Sequence, residues 1–256
     1  MKNQRQILRR MGYIRDQEGI MNRYIREKMH WDQHLEKTRE FINASFSDKS
    51  IETVAVLGSG WLLDIPLKEM KERFKHVFLV DISHPPQIRK KVGALSNVEL
   101  IEADLSGGVI QQLWQLIRKK GSPDATSLLE EILFTPPLSH IQPDAVLSIN
   151  LLNQLDIILC EFLEKHGYFQ QESPDHFRSV IQTFHLEWIT HTPGCLVTDT
   201  VEINRDNRGN ETFKSLLYTD LPEGLRTDRW SWDFDTHGAY QPGTRTRMDV
   251  QAVEWI

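Results

Sequence analysis

Hydrophobic positions along the chain change their period near residue 50. Before it they recur at helical spacing: Ile7, Leu8, Met11 and Ile14, then Met21, Tyr24, Ile25, Leu35 and Phe41-Ile42. No proline interrupts these runs, which predicts helices through residue 46 with Gly12 and Gly19 as places to break. After a polar connection at Ser45–Ser50, short apolar runs read as buried strands: Thr53–Leu57, Val77–Val80, Val98–Ala103, Ala145–Ile149 and Leu196–Val201. Helical spacing fills the gaps between them. It runs through Leu62–Phe74, with Pro66 in the first turn, around Ile88 and Val92, through Val109–Ile117, and from Leu151 to Lys165. A further helix opens at Ser173-Pro174-Asp175 and ends near Pro193-Gly194. Residues 121–143 read as a proline-punctuated insertion carrying one short helix, Ser127–Phe134. The tail alternates over Arg229–Phe234 and Met248–Trp255, the signature of strands.

Strand and helix alternating five times, closed by β-rich sequence, predict an α/β fold with an open, mostly parallel sheet and helices on both faces. The expected organisation is an N-terminal helical arm over residues 1–48 and a sheet domain over 49–256. There is no internal repeat of the length that builds solenoids.

Composition narrows this picture little and charge narrows it more. With 256 residues, 39% hydrophobic and 26% charged, the chain has the make-up of a soluble globular protein. No stretch reaches the roughly 18 consecutive apolar residues of a membrane span, and the N-terminus lacks a signal peptide's apolar core. A cytoplasmic protein is the expectation. Cys160 and Cys195 are too few for a disulfide framework or a cysteine metal site, and read as packing residues. The net charge of −6 hides an uneven split: residues 1–30 carry +5 and the remainder −11. A basic arm permits an RNA or DNA substrate, or docking on the acidic body of its own chain.

In an open α/β sheet, ligands bind beyond the carboxyl ends of the strands, where strand order reverses. Gly58-Ser59-Gly60, Asp81, Asp104, Asn150 and Asp199 all fall at predicted strand ends. Glycines let a ligand approach the backbone, and a helix start after them would offer free N–H groups. Asp81 lies 21 residues beyond Gly60, where a carboxylate can accept both ribose hydroxyls of a nucleotide. Asp104 is placed to accept from an adenine amino group. The dinucleotide fingerprint G-x-G-x-x-G is incomplete, because Leu63 stands at its third glycine.

From Thr53 onward these motifs resemble the class I S-adenosylmethionine-dependent methyltransferases, which have a Rossmann-like fold. The resemblance rests on Val54–Gly60, Val77–Asp81, Glu102-Ala103-Asp104-Leu105 and Asp144–Leu152 as four successive motifs. It implies S-adenosyl-L-methionine as cofactor, with the methionine part on Gly58-Ser59-Gly60, the ribose on Asp81 beside Ile82, and the adenine on Asp104 beside Leu105. Leu62 replaces the last glycine of the family's usual loop, and Val56 replaces an acid that often precedes it. The fourth motif lacks the Asn/Asp-Pro-Pro-aromatic signature of base-amine methylation, which favours a small-molecule acceptor over nucleic acid.

The residues around these motifs leave several alternatives open. Asn150 either lines the cofactor crevice or caps the following helix. His34, His185 and Asp199 are the candidates for a general base. His30 and His34 share a helix face as a metal pair would, but no third ligand follows and no metal is expected. The Trp31–Arg39 segment is a candidate lid, with His34 or Arg39 pointing inward. Trp230–Gly238 reads as core or as a substrate wall. The leading function is methyl transfer to an oxygen or nitrogen nucleophile. The alternatives are a non-catalytic cofactor-binding scaffold and an NAD(P)-dependent oxidoreductase.

Overall fold

The apolar runs become a parallel sheet because each is buried on both faces and must satisfy its backbone through neighbours. The structure, a computed structural model, describes residues 2–46, 50–118, 125–170 and 173–255. Its strands β1 (Thr53–Leu57), β2 (His76–Asp81), β3 (Val98–Glu102), β4 (Ala145–Ile149) and β5 (Gly194–Asp206) pair in parallel in the order β3-β2-β1-β4-β5. Strand order therefore reverses between β1 and β4. Beyond β5 the sheet turns antiparallel: β8 (Thr244–Trp255) pairs with β5, and β7 (Arg226–Asp235) with β8. β6 (Glu211–Ser215) adds to β5 off this path, making eight strands.

Alternate residues of β1 face opposite cores, as a pleated strand requires. Ala55 and Leu57 join the cluster that contains α1 (Lys2–Met11), α5 (Val109–Leu116), α7 (Ile157–Lys165) and α8 (Asp175–Ile189). Val54 and Val56 join the other, with α2 (Tyr13–Ala44), α3 (Leu67–Arg73) and α4 (Pro86–Val92). The expected α/β sheet, helices on both faces and a β-rich C-terminal end, is what the chain forms.

Several local expectations need correction. The arm breaks at Gly12, in the left-handed region at φ 109°, but α2 continues through Gly19 without interruption. Tertiary packing outweighs the roughly 1 kcal/mol that a mid-helix glycine costs: Trp31, His34, Leu35, Thr38, Phe41 and Ile42 make one buried stripe. The helix expected over Leu62–Phe74 starts only at Leu67, with Pro66 just before it, so residues 58–66 are an irregular loop. No helix N-terminus follows the glycines directly. The helix expected from Leu151 is a short 3₁₀ turn at Leu152–Gln154 and then α7. β5 runs on to Asp206, past the expected end at Val201, with an irregularity between Asp199 and Val201; Asp199 lies inside it, as the Leu196–Val201 strand implies. β6 was not anticipated; all five of its residues are exposed, so it has no apolar face to read. Within the expected insertion, α6 (Ala125–Glu131) buries Leu128, and Thr135 donates its N–H to Gly107 O. Residues 119–124, and 47–49 around the expected boundary at 48, lie outside the described residues. Among the described residues no helix is long and apolar enough to cross a membrane.

Candidate functional site

A cavity of about 320 Å³ opens over the carboxyl ends of β1, β2 and β4, at the point where strand order reverses. All of the residues expected at a cofactor site line it: Gly58, Ser59, Gly60, Asp81, Ile82, Asp104, Leu105 and Asn150. His34 and Asp199 line it as well.

One wall is made by loops and held by backbone donors. Gly58 sits at φ 82°, and a Cβ there would stand 2.7 Å from Ile149 O, so the end of β1 approaches β4 at a position only glycine fits. Asp81 Oδ2 accepts the Gly60 N–H at 2.8 Å, tying the end of β2 to the glycine loop. Burial raises the Asp81 carboxyl to about 6, against the lowering effect of the N–H groups of Gly60, Ser83 and Ile82. Leu62, which stands where the resembled loop has its last glycine, adopts a positive φ of 55°, so the loop takes a left-handed turn without the residue that makes it cheap. Asp104 turns both oxygens to the backbone: Oδ1 accepts from the Ser106 N–H at 3.0 Å, and Oδ2 from the Ile110 N–H at 3.1 Å. Ser59 Oγ lies 3.0 Å from His84 Nε2, which links the loop after β1 to the loop after β2.

The opposite wall is aromatic and comes from α2 and β7. Trp31 donates its indole N–H to Phe234 O at 3.0 Å and meets Trp232 edge to face at 4.9 Å. His34 stacks on Trp232 at 4.1 Å, and its Nδ1 accepts the Trp230 indole N–H at 3.0 Å. An indole can only donate, so the single proton of neutral His34 resides on Nε2, and the Asn150 Nδ2 at 3.3 Å, also a donor, makes no hydrogen bond with it. Burial depresses the imidazole to about 3. Its base role is therefore corrected: Nδ1 is occupied, and protonation would bury an imidazolium. His185 needs a larger correction. It does not line the cavity but lies in the core, with Nε2 2.9 Å from Ser148 Oγ, and burial lowers it to about 4.

Asp199 is the remaining base candidate. Oδ1 accepts the Trp232 indole N–H at 2.9 Å, and burial, with Glu202 nearby, raises its carboxyl to about 7. Asn150, in the left-handed region at φ 48°, donates to Asp64 at 2.6 Å and caps no helix. Burial also raises Asp64.

The basic arm docks on the body of its own chain. Arg26 reaches Asp235 at 3.2 Å, Arg39 binds Leu63 O rather than entering the cavity, and Gln17 accepts through its backbone the Trp61 indole N–H at 2.7 Å. His30 is exposed, 4.0 Å from Asp233. Trp232 and Phe234 belong both to the core and to the cavity wall, so the two readings of that segment coexist. Sequence reasoning missed Arg23, Asp64, Glu202 and Tyr240, which line the cavity. A charged residue inside β5 was a signal for Glu202; Arg23, Asp64 and Tyr240 had none.

No protein-family model matches the chain, and no curated protein does. Among solved structures the chain is similar to the DhpI-SAM-HEP complex, 13% identical over 93% of this chain and 95% of that one, with a TM-score of 0.39. It is similar also to the 23S rRNA methyltransferase ErmE, at 11% identity over 86% and 67% of the two chains, TM-score 0.32. A third is 1,6-didemethyltoxoflavin-N1-methyltransferase of Burkholderia thailandensis with bound 1,6-didemethyltoxoflavin and S-adenosylhomocysteine: 10% identity, 94% and 90% coverage, TM-score 0.36.

Proposed function

We propose that the cavity binds S-adenosylmethionine and that the chain transfers its methyl group to a nucleophile of a small molecule. The observation that carries this reading is the convergence of four strand-end motifs on one cavity, with Asp81 joining β2 to the glycine loop. The residues fit the cofactor. Gly58 lets the loop turn tightly against β4, where a Cβ would clash with Ile149 O, and Asp81 keeps lone pairs for ribose hydroxyls after accepting from Gly60. Asp104 fixes the loop against which the adenine would lie, beside Ile82 and Leu105. Asn150 Oδ1 is buried without a partner and is suited to a donor such as the cofactor's amino group.

Bound there, the cofactor supplies a methyl group already activated by its sulfonium charge. The work left to the protein is to orient the acceptor, exclude water and take a proton. Asp199 is the proton acceptor. A carboxyl at about 7 is substantially ionised at neutral pH, yet basic enough to draw a proton from a hydroxyl or ammonium group as the new bond forms. The Trp232 indole fixes its orientation. α2 is the lid: Trp31, His34 and Leu35 cover the cavity, and the helix is pinned to β7 and to the glycine loop.

The test is calorimetric titration of S-adenosylmethionine and of NAD into the purified protein, followed by an acceptor screen for S-adenosylhomocysteine release. Binding of the first alone, and turnover reduced at least a hundredfold in Asp199→Asn, is the expected result. Binding without turnover on any acceptor would favour the scaffold reading, and binding of NAD alone would overturn both.

A further inference from the structure

Arginines at the edge of this protein's core are paired with acids, with one exception. Arg26 reaches Asp235 and Glu27, Arg178 reaches Asp156 at 2.8 Å, and Arg226 reaches Glu254 at 3.2 Å. Arg23 is half-buried on α2 and makes no hydrogen bond or ion pair among the described residues. It is also the one lysine or arginine among the described residues that line the cavity.

The guanidinium is nevertheless held in place. Its central carbon lies 4.5 Å from the Phe234 ring centroid and 5.3 Å from that of Tyr240, two rings that meet edge to face. Seating on ring faces fixes an arginine while leaving its five N–H donors free for a planar, bidentate partner. The acids around it are otherwise engaged. Asp235 takes Arg26 and the Tyr240 N–H, and Glu161 pairs with Lys165. Glu202 takes the Tyr240 hydroxyl together with Gln241 and Asn204. Asp16, which also lines the cavity, is the nearby charge that acts most strongly on Arg23, yet the two form no ion pair among the described residues.

We propose that the acceptor carries an oxyanion, a carboxylate or a phosphate, on an apolar body, and that Arg23 recognises it. This rests on the methyl-transfer reading of the cavity. The apolar body lies between Trp31, Trp232, Phe234 and Met248, all of which line the same cavity. The oxyanion brings the direct hydrogen-bonded partner that this guanidinium lacks, in a setting drier than the surface, where such a bidentate contact is at its strongest. Arg23 acts on specificity and positioning; it does not touch the transferred proton.

Three probes that share one ring separate the charge classes: benzoate, benzyl alcohol and benzylamine, titrated at neutral pH by calorimetry and ligand-observed NMR. Benzoate is expected to bind about tenfold or more tightly than benzyl alcohol to the wild-type protein. In R23Q that ratio falls to about two or less, and R23K, which keeps the charge without the fork, lies between. Arg23 makes no ion pair, so R23Q folds, and its circular dichroism and thermal midpoint verify this. No preference among the probes, a preference for benzylamine, or a benzoate preference that survives R23Q overturns the proposal. S-adenosylhomocysteine is titrated into the same wild-type protein. If it does not bind while the R23Q result holds, the methyl-transfer reading fails and the anion site stands. The reverse pattern removes the anion site and leaves the cofactor reading.

Discussion

The two walls of the cavity are built by opposite means. On the loop wall, carboxylates bind backbone: Asp81 holds the Gly60 N–H, and Asp104 holds Ser106 and Ile110. On the aromatic wall, side chains bind side chains: His34 to Trp230, and Trp232 to Asp199. The first wall has a shape set by chain geometry and two carboxylates, so it should resist added side chains most strongly. The second is a chain of rings and hydrogen bonds, and removing any link should be felt. The difference suits the proposed roles, with a fixed cradle for a constant cofactor facing a wall whose side chains select the acceptor.

The largest expected break is on the aromatic side. Trp31 is 4% exposed and contacts Trp232, Phe234 and the Phe234 carbonyl. Trp31→Ala is expected to cost about 3–5 kcal/mol in denaturant unfolding. A cost below about 1 kcal/mol would mean that α2 is not seated on β7 as described. On the loop wall the sensitive change is an addition. Gly58→Ala places a methyl 2.7 Å from Ile149 O at φ 82°, with an expected cost of about 2–4 kcal/mol.

Asp199 sharpens the comparison through pH. Its carboxyl is raised in the folded protein to about 7, so its stability contribution is full below about pH 4 and is lost as pH climbs through 7. Asparagine keeps an oxygen for the Trp232 N–H but cannot ionise. Asp199→Asn should therefore gain on the wild type by about 2–4 kcal/mol between pH 4 and pH 8, read from unfolding curves across that range. A difference that is flat with pH would contradict its burial. The smallest effect belongs to Ser59→Ala, which removes a link to His84 but leaves the backbone course of the loop. A loss of about 1 kcal/mol is expected in the same melts.

The same contrast explains what could be read before the structure was known. The loop wall is local: a buried strand, then Gly58 or Asp81 at its end, is a pattern contained in a few residues, and each expected cofactor position lines the cavity. The aromatic wall joins residues separated by 196 positions, as with His34 and Trp230, and no short-range pattern encodes that meeting. His185 is hard to place for the same reason, because a helical histidine carries no mark of which end of the sheet it faces. Arg23 was legible only as one charge in a basic arm until its ring seat and missing partner became visible. β6 escaped because an edge strand exposed along its length has no hydrophobic period.

The central claim is that Asp81, held in the loop wall at about 6, receives the cofactor's ribose. S-adenosylhomocysteine affinity measured by calorimetry from pH 5 to pH 8, in the wild type and in Asp81→Asn, tests it most directly. The wild type should bind steadily above pH 6 and weaken below it, by up to about tenfold per pH unit, while the variant binds weakly and without that slope. Absent binding, or one affinity shared by both proteins across the range, would contradict it.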